Sequence, residues 1–373
     1  MRFLKTNIPD IEIIEYPSWS DYIKKINEGW DVVGFSFLHF EMNEIIKMAE
    51  EAKKRGVREI WAGSYGALSP QASFADKRWI GYCEGELSRK VFNEELEYIR
   101  HPLLVNHIRM DMPPSLKVAR IGGLYTQRGC PYRCIFCQTP GYAPKPSRIP
   151  LESIARVLSH YKKIGIKIVA IHDETFGIFP EHSRKVVEML SSLGMRWSAG
   201  SRIDKILENL DYWSANGLMM VGFGIESLRN VTQSKILKQI NTDSLPELRK
   251  RTKQKKIATT AYYMIGYEDD TIESICEDLI MLRGKGFDSH QLTVNTPFPS
   301  TLQWDYIKSV FGLIDYDPAH YDTRHLVWNH PNISAAQMGY MLRAGCAYLN
   351  RPLSSYIPGI ARLLRKVNKT SKE

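Results

Sequence analysis

No uninterrupted apolar stretch in the 373 residues is long enough to span a bilayer, so a helical membrane span is not expected. The opening residues Met1-Arg2-Phe3-Leu4-Lys5-Thr6 lack an apolar core of signal-peptide length, and the expectation is a cytoplasmic protein without a transmembrane segment. Solenoid-type repeats and low-complexity segments are absent too. Cysteine is scarce: Cys83, Cys130, Cys134, Cys137, Cys276 and Cys346 are the only six, and three of them fall within eight residues. In a reducing compartment such clustering points to ligands or redox groups, and the even total does not imply a disulfide framework.

What is present is ordinary for a globular chain with a sizeable core: 43% hydrophobic and 24% charged residues, with a length that suggests about two domains. The net charge of +9 is partly local, in Arg249-Lys250-Arg251-Thr252-Lys253-Gln254-Lys255-Lys256 and in a tail with Arg362, Arg365, Lys366, Lys369 and Lys372. Such runs are usually solvated faces. They could also bind nucleic acid or an anionic membrane, but no base-reading motif adds to the charge, and a nucleic-acid partner is not expected.

Residues 1–95 read as a small Rossmann-like α/β domain. Asp31–Phe37 is β-rich, Glu44–Arg55 has helical spacing of Ile45, Met48, Ala49 and Ala52, and Arg58–Ala62 is a second strand. That strand ends in Gly63-Ser64-Tyr65-Gly66, a turn of the kind that binds ligands in open α/β sheets. Residues 96–120, punctuated by Pro102, Pro113 and Pro114, read as a connection. From 121 to 300 the βα alternation is sustained, with strands expected at Gly123–Gln127, Lys167–Ile171, Arg196–Ser201, Met219–Ile225, Thr259–Ile265 and Gln291–Asn295. Helices are expected at Glu152–Ile164, Glu181–Leu193, Lys205–Ala215 and Ile272–Arg283. Six strands with crossovers predict a partial (β/α)6 TIM-like barrel, with reactive residues on the loops leaving the strand C-terminal ends. Residues 301–373 read as a mixed, helical extension. Its aromatics Trp304, Trp328 and Tyr340 fit core packing or a pocket for a large apolar molecule. Tyr356–Lys369 has the apolar spacing of an amphipathic helix, docked on the protein's own body or on a membrane surface.

The chemistry concentrates in Gln127-Arg128-Gly129-Cys130-Pro131-Tyr132-Arg133-Cys134-Ile135-Phe136-Cys137-Gln138. The spacing is C-x3-C-x2-C, and Gly129 and Pro131 supply turn chemistry that lets three thiolates converge. Closely spaced cysteines are the usual signature of iron–sulfur clusters. Three ligands leave one iron of a 4Fe–4S cube without a protein donor, the open position that a catalytic metal needs. A zinc site with a distant fourth ligand, or three packed cysteines, are the other readings of this spacing.

With Phe136 before its last cysteine, the loop resembles the signature of radical S-adenosylmethionine (AdoMet) enzymes. The resemblance implies that Cys130, Cys134 and Cys137 ligate three irons and that AdoMet chelates the fourth. An electron from the cluster then cleaves the sulfonium to methionine and a 5′-deoxyadenosyl radical. It also implies a small-molecule substrate and a reducing partner such as flavodoxin or ferredoxin. Further segments follow in the family's order over residues 120–302. His172-Asp173-Glu174-Thr175-Phe176 resembles its acidic segment. Trp197–Asp204 resembles its third-strand segment, in which Arg202 is expected near the AdoMet carboxylate. Gly222-Phe223-Gly224-Ile225-Glu226-Ser227 resembles "G-x-E-S", in which Glu226 is expected to meet AdoMet polar groups. Phe136 and Asp173 join these two as expected cofactor-binding residues, with a helix or turn cap as the other reading of Asp173 and a buried ion pair as the other reading of Arg202 and Glu226. Two departures stand out. Tyr267-Glu268-Asp269 replaces a proline-bearing turn, and Ser300 stands where glycine is usual.

Val32–Ser36, Trp61–Gly66 and Gly81–Glu86 resemble successive segments of the cobalamin-binding-type domain that precedes many such barrels, here in a shortened form. That subclass includes methyltransferases acting on unactivated carbon and rearrangement enzymes, which makes cobalamin a third candidate cofactor. No D-x-H-x-x-G segment exists to supply a cobalt ligand, and the single His39 after a strand reads as a packed histidine. Two alternatives remain. One is a methylthiotransferase acting on transfer RNA, which would need further N-terminal cysteines where Cys83 stands alone; the other is a non-catalytic iron–sulfur protein.

Overall fold

Short runs of β-branched and aromatic residues build two parallel sheets, seen in a computed structural model that describes residues 1–110 and 117–350. The first sheet holds β1 (Val32–Ser36), β2 (Glu59–Gly63) and β3 (Lys77–Arg78) in that order, all parallel. The chain continues through β4 (Leu104–Met110), β5 (Lys117–Leu124), the short antiparallel pair β6 (Gln127–Arg128) and β7 (Ser147–Arg148), then β8 (Ile168–Ile171), β9 (Arg196–Gly200), β10 (Leu218–Glu226), β11 (Ala258–Ile265) and β12 (Ser289–Val294). The second sheet has the order β12-β11-β10-β9-β8-β5-β4. Its six strands from β5 to β12 are parallel and follow chain order without a reversal. That is the winding of a barrel wall, and since β12 and β5 do not pair among the described residues, the wall stays open.

Two expectations need correction. Residues 96–120 are more than a connection, because β4 lies in them and pairs antiparallel with β5 from Leu104↔Gly123 to Met110↔Lys117. The first barrel strand begins earlier than Gly123 and stops at Leu124. It stops there because the Thr126 and Gln127 N–H groups leave the sheet and donate to the buried Asp173 carboxylate, at 2.7 and 3.2 Å. A helix at Leu245–Gln254 also emerges from the basic run, with Arg249 bonded to Asp288 and both Arg251 and Lys255 paired with Asp211. The tail Tyr356–Lys369 and its basic residues, with Pro113 and Pro114, lie outside the described residues. Among the described residues no helix is long and apolar enough to cross a membrane.

Period-two alternation assigns the faces of the wall. Val169, Ile171, Trp197, Ala199, Val221, Phe223, Ala261, Tyr263, Leu292 and Val294 point outward into the main core beneath the helices. Trp197, Trp213 and Phe176 meet there at 5.2–5.8 Å between ring centroids. The late aromatics belong to packing: Trp328 is fully buried and its ring N–H donates to the Asn295 carbonyl at 3.1 Å, Trp304 packs on the core, and Tyr340 is exposed.

The small sheet has its own apolar cluster, separate from the main one, and meets the barrel through Arg128. This side chain makes a bidentate pair with Glu84 at 2.9 and 3.0 Å, between the rings of Phe3 and Tyr82. Both partners are about 5% exposed, so removing one leaves an uncompensated buried charge. Replacing Arg128 by methionine should cost about 3–5 kcal/mol of stability in urea unfolding. The double variant R128M/E84M should regain most of that loss.

Candidate functional site

The cysteine loop leaves the β6–β7 ribbon at the C-terminal mouth of the half-barrel. Gly129 makes the turn with φ +78°, and a Cβ there would lie 2.9 Å from the Ala143 carbonyl oxygen, so only glycine fits. Its N–H donates to Glu174 at 3.1 Å, and Tyr82 donates to the other oxygen of the same carboxylate. The Cys137 N–H closes a turn on the Cys134 carbonyl at 3.1 Å. Ile135 is held from both sides: its N–H donates to the Ile236 carbonyl and its own carbonyl accepts from the Gln303 N–H, each at 3.1 Å.

All three loop cysteines are free thiols and partly buried. Cys130 Sγ lies 3.5 Å from the Thr175 hydroxyl, and Cys137 Sγ accepts the Thr139 N–H at 3.4 Å. Burial pushes the Cys134 and Cys137 thiols above their ordinary range, while the Lys238 ammonium pulls both back. Among the described residues no group of three His, Cys, Asp or Glu side chains is gathered closely enough to hold a single metal ion. Three thiols on one pinned loop are a donor set that fits an iron–sulfur cluster.

Facing the loop, Glu226 ends β10 at a register break with β11 and carries a left-handed φ of +64°. Its carboxylate accepts from Lys238 Nζ at 3.0 Å, and the two side chains are only 12% and 14% exposed. Lys238 sits between Leu237 and Gln239, both also left-handed at φ +54° and +51°. A Cβ on Gly224 would fall 2.0 Å from the Glu226 oxygen and 2.6 Å from the Lys238 nitrogen, so the pair exists because position 224 is glycine. Arg202 clamps the same loop, donating to the Lys238 and Gln239 carbonyls at 2.9 and 3.2 Å, pairing with Asp204 and lying 4.0 Å over the Tyr132 ring.

Between these groups the inner face of the wall is made of small residues, Ala170, Ser198, Gly200, Gly222 and Gly224. Gly200 has open space where its side chain would be, and a Cβ on Gly222 would strike the Tyr262 hydroxyl at 2.2 Å. This floor fits a ligand such as AdoMet in front of the cysteine loop. The Tyr267 hydroxyl is buried near Glu226 and Cys134 with no hydrogen-bond partner, which leaves a polar group for such a ligand to meet.

The structure thus brings Cys130, Cys134, Cys137, Arg202 and Glu226 together and leaves Phe136 half-buried in the turn between Cys134 and Cys137. Asp173 is the correction: both its oxygens are spent on Thr126 and Gln127 beneath the loop, so it shapes the strand end and is not placed to bind a cofactor. Lys238 and Tyr267 were missed, and the only signal for Lys238 is its place twelve residues after Glu226. Ser300, standing for glycine, adopts φ +64° and donates to the Leu68 carbonyl at 2.8 Å. The turn at Tyr267 is held without proline by the Asp270 carboxylate, which accepts the Gly266 and Tyr267 N–H groups at 2.7 and 3.0 Å.

At the small sheet, the strand ends are already engaged. Tyr65 stacks on Tyr142 at 4.4 Å and bonds Thr139 at 3.2 Å, and His39 is buried edge-on to Tyr321 with its pKa lowered to about 4 by burial. A corrin ring across these ends has to displace the Tyr65–Tyr142 stack. As arranged, these residues do not fit it. Cys83 packs by the cluster of Ile8, Trp79 and Leu87, its thiol pushed up to about 11 by burial, and offers no second metal centre.

Known proteins similar to this chain share one superfamily. Residues 124–279 match the model of the Radical SAM superfamily. The chain is 27% identical over 228 residues to an uncharacterized methyltransferase, PH0819, of Pyrococcus horikoshii, covering 60% of this chain and 50% of that protein, so it spans about half of that relative's length. It is 22% identical over 346 residues to bacteriochlorophyllide d C-12(1)-methyltransferase of Chlorobaculum tepidum, covering 85% of this chain and 74% of the other. In fold it resembles the radical S-adenosylmethionine methyltransferase TsrM of Kitasatospora setae, solved with cobalamin and a 4Fe-4S cluster, at a TM-score of 0.69 and 13% identity over 100% of this chain and 96% of that one.

Burial, acting against hydrogen bonds from Thr126 and Gln127, raises the Asp173 carboxyl to about 7. The folded state then holds a proton that the unfolded chain releases near pH 4. The stabilisation is full below that pH and fades as pH rises through 7. Wild-type stability should fall relative to D173N by on the order of 4 kcal/mol between pH 4 and 8, read from urea midpoints.

Proposed function

We propose, for a chain that carries a radical SAM superfamily domain over residues 124–279, that it cleaves AdoMet reductively at a 4Fe–4S cluster to methylate or rearrange an unactivated small molecule. The observation that carries this is the three-thiol loop pinned at the barrel mouth, facing Glu226 and Lys238 across a floor of small residues. When bound, the cluster supplies one electron to the sulfonium, giving methionine and a 5′-deoxyadenosyl radical that takes a hydrogen atom from the substrate. Cys130, Cys134 and Cys137 hold the cluster. Glu226 accepts the AdoMet ammonium, Arg202 fixes the loop beside the carboxylate, and Phe136 shields the last cysteine. Methyl transfer is favoured because the two relatives described above are named methyltransferases, and its methyl group would come from a second AdoMet, since reductive cleavage leaves the first one's methyl on methionine.

The same reading divides the chain into a small α/β unit over 1–95, a connection that includes β4, a barrel to residue 300 and an extension. It assigns the electron to a flavodoxin- or ferredoxin-type donor. Cobalamin enters by the likeness of segments within residues 32–86 to a cobalamin-binding-type domain and by the fold's likeness to TsrM, and a corrin absorbance retained after anaerobic incubation with hydroxocobalamin and gel filtration tests it.

Anaerobic reconstitution with iron and sulfide should give a brown protein that releases 5′-deoxyadenosine from AdoMet under dithionite. Each of C130A, C134A and C137A should lose the visible absorbance and reduce that release at least a hundredfold. A wild-type protein that stays colourless and retains only zinc overturns the proposal.

A further inference from the structure

Lys238 is not explained by holding Glu226 alone. Three residues with side chains, Glu226, Leu237 and Gln239, take left-handed backbone conformations around it, and such outliers persist only where the surroundings impose them. The surroundings here are specific. The Ile236 carbonyl is tied to the Ile135 N–H inside the cysteine loop, Arg202 holds the carbonyls of Lys238 and Gln239, and Gly224 leaves the space that Nζ enters. These contacts hold a nearly buried ammonium in a loop that is hydrogen-bonded to Ile135, the residue after Cys134 and two before Cys137. The other charges there are Glu226, bound to it, and Arg202, paired with Asp204.

We propose that Lys238 is a positioning residue for the cluster's charge, a fixed cation that raises the potential at which the cluster accepts its electron. This rests on the cluster reading above. Three thiolates and four sulfides outweigh the iron charge, so the electron enters a centre that is already anionic. Inside a protein that added charge is poorly screened, and cluster potentials follow local net charge and solvent exposure. A cation held in the loop bonded to Ile135, between two of the three ligating cysteines, stabilises the reduced form, and Glu226 acts with the opposite sign. The electron comes from an external one-electron reductant, here dithionite, which is oxidised as the cluster is reduced.

The test is a mediated redox titration of reconstituted protein, followed by the bleaching of cluster absorbance and by electron paramagnetic resonance. K238M should move the midpoint to more negative potential, E226Q should move it to more positive potential, and K238R should restore the wild-type value. Iron and sulfide per chain are measured alongside. Midpoints unchanged in both K238M and E226Q at full iron content overturn the proposal, as does a shift of the same sign in both, which marks a merely structural loop. If K238M does not fold, the upward shift in E226Q and the wild-type value in K238R decide it. A wild-type protein that takes up no cluster removes this proposal and the function together, whereas unchanged midpoints with intact deoxyadenosine release remove this one alone.

Discussion

The backbone of one residue, Ile135, holds the site in register. Its N–H reaches the loop after β10 and its carbonyl reaches the segment after β12, so the cysteine loop, which itself follows β5 and β6, is tied across the open wall. Backbone hydrogen bonds suit this purpose because they fix orientation without depending on side-chain rotamers. The six strands arrive at these tie points because their outward residues, among them Trp197, Phe223 and Tyr263, are anchored in one core. Loss of register anywhere between β8 and β12 would therefore displace the thiols from Glu226 and Lys238.

The site balances strain and charge against space. Glu226, Leu237, Gln239 and Ser300 all take left-handed backbone angles, and all four stand on loops or strand ends at the mouth of the wall. The opposite device operates in the middle of the wall, where Gly200, Gly222 and Gly224 leave room by having no side chain. Buried charge is tolerated because it is paired, as in Glu226 with Lys238 and in Arg128 with Glu84. The Tyr267 hydroxyl stays unsatisfied, which is the condition of a binding surface and not of a finished core.

Much of this was legible in the residues. Runs such as Ile168–Ile171 and Ala258–Ile265 show apolar content that only a buried strand accommodates, and the cysteine spacing marked the loop. The helix Leu245–Gln254 escaped because its apolar face is reduced to Leu245 and Leu248 among basic residues whose carboxylate partners, Asp211 and Asp288, are remote in sequence. β4 escaped because the neighbouring prolines mask a seven-residue strand. Asp173 was assigned to the cofactor because an acidic residue at a strand end has two uses, and only the positions of the Thr126 and Gln127 N–H groups distinguish them. Lys238 carried no pattern at all, since its meaning depends on a glycine fourteen residues upstream in another element.

The junction of the two sheets follows the same economy. Their apolar clusters are separate, so the units are not fused through a common core. At the far rim exposed polar contacts, Asn43 with Asp317 and Ser300 with the Leu68 carbonyl, flank the buried edge-on contact of His39 with Tyr321. At the near end lies Arg128, buried against Glu84 two residues before Cys130, while Glu174 accepts from both the Gly129 N–H and the Tyr82 hydroxyl. Separation at the near end would strand a charge in apolar surroundings, whereas separation at the rim would not. The small sheet is therefore held to the barrel by a buried charge pair at the base of the cysteine loop and by ring contacts elsewhere, so parting the units costs most beside the segment that carries the first thiol.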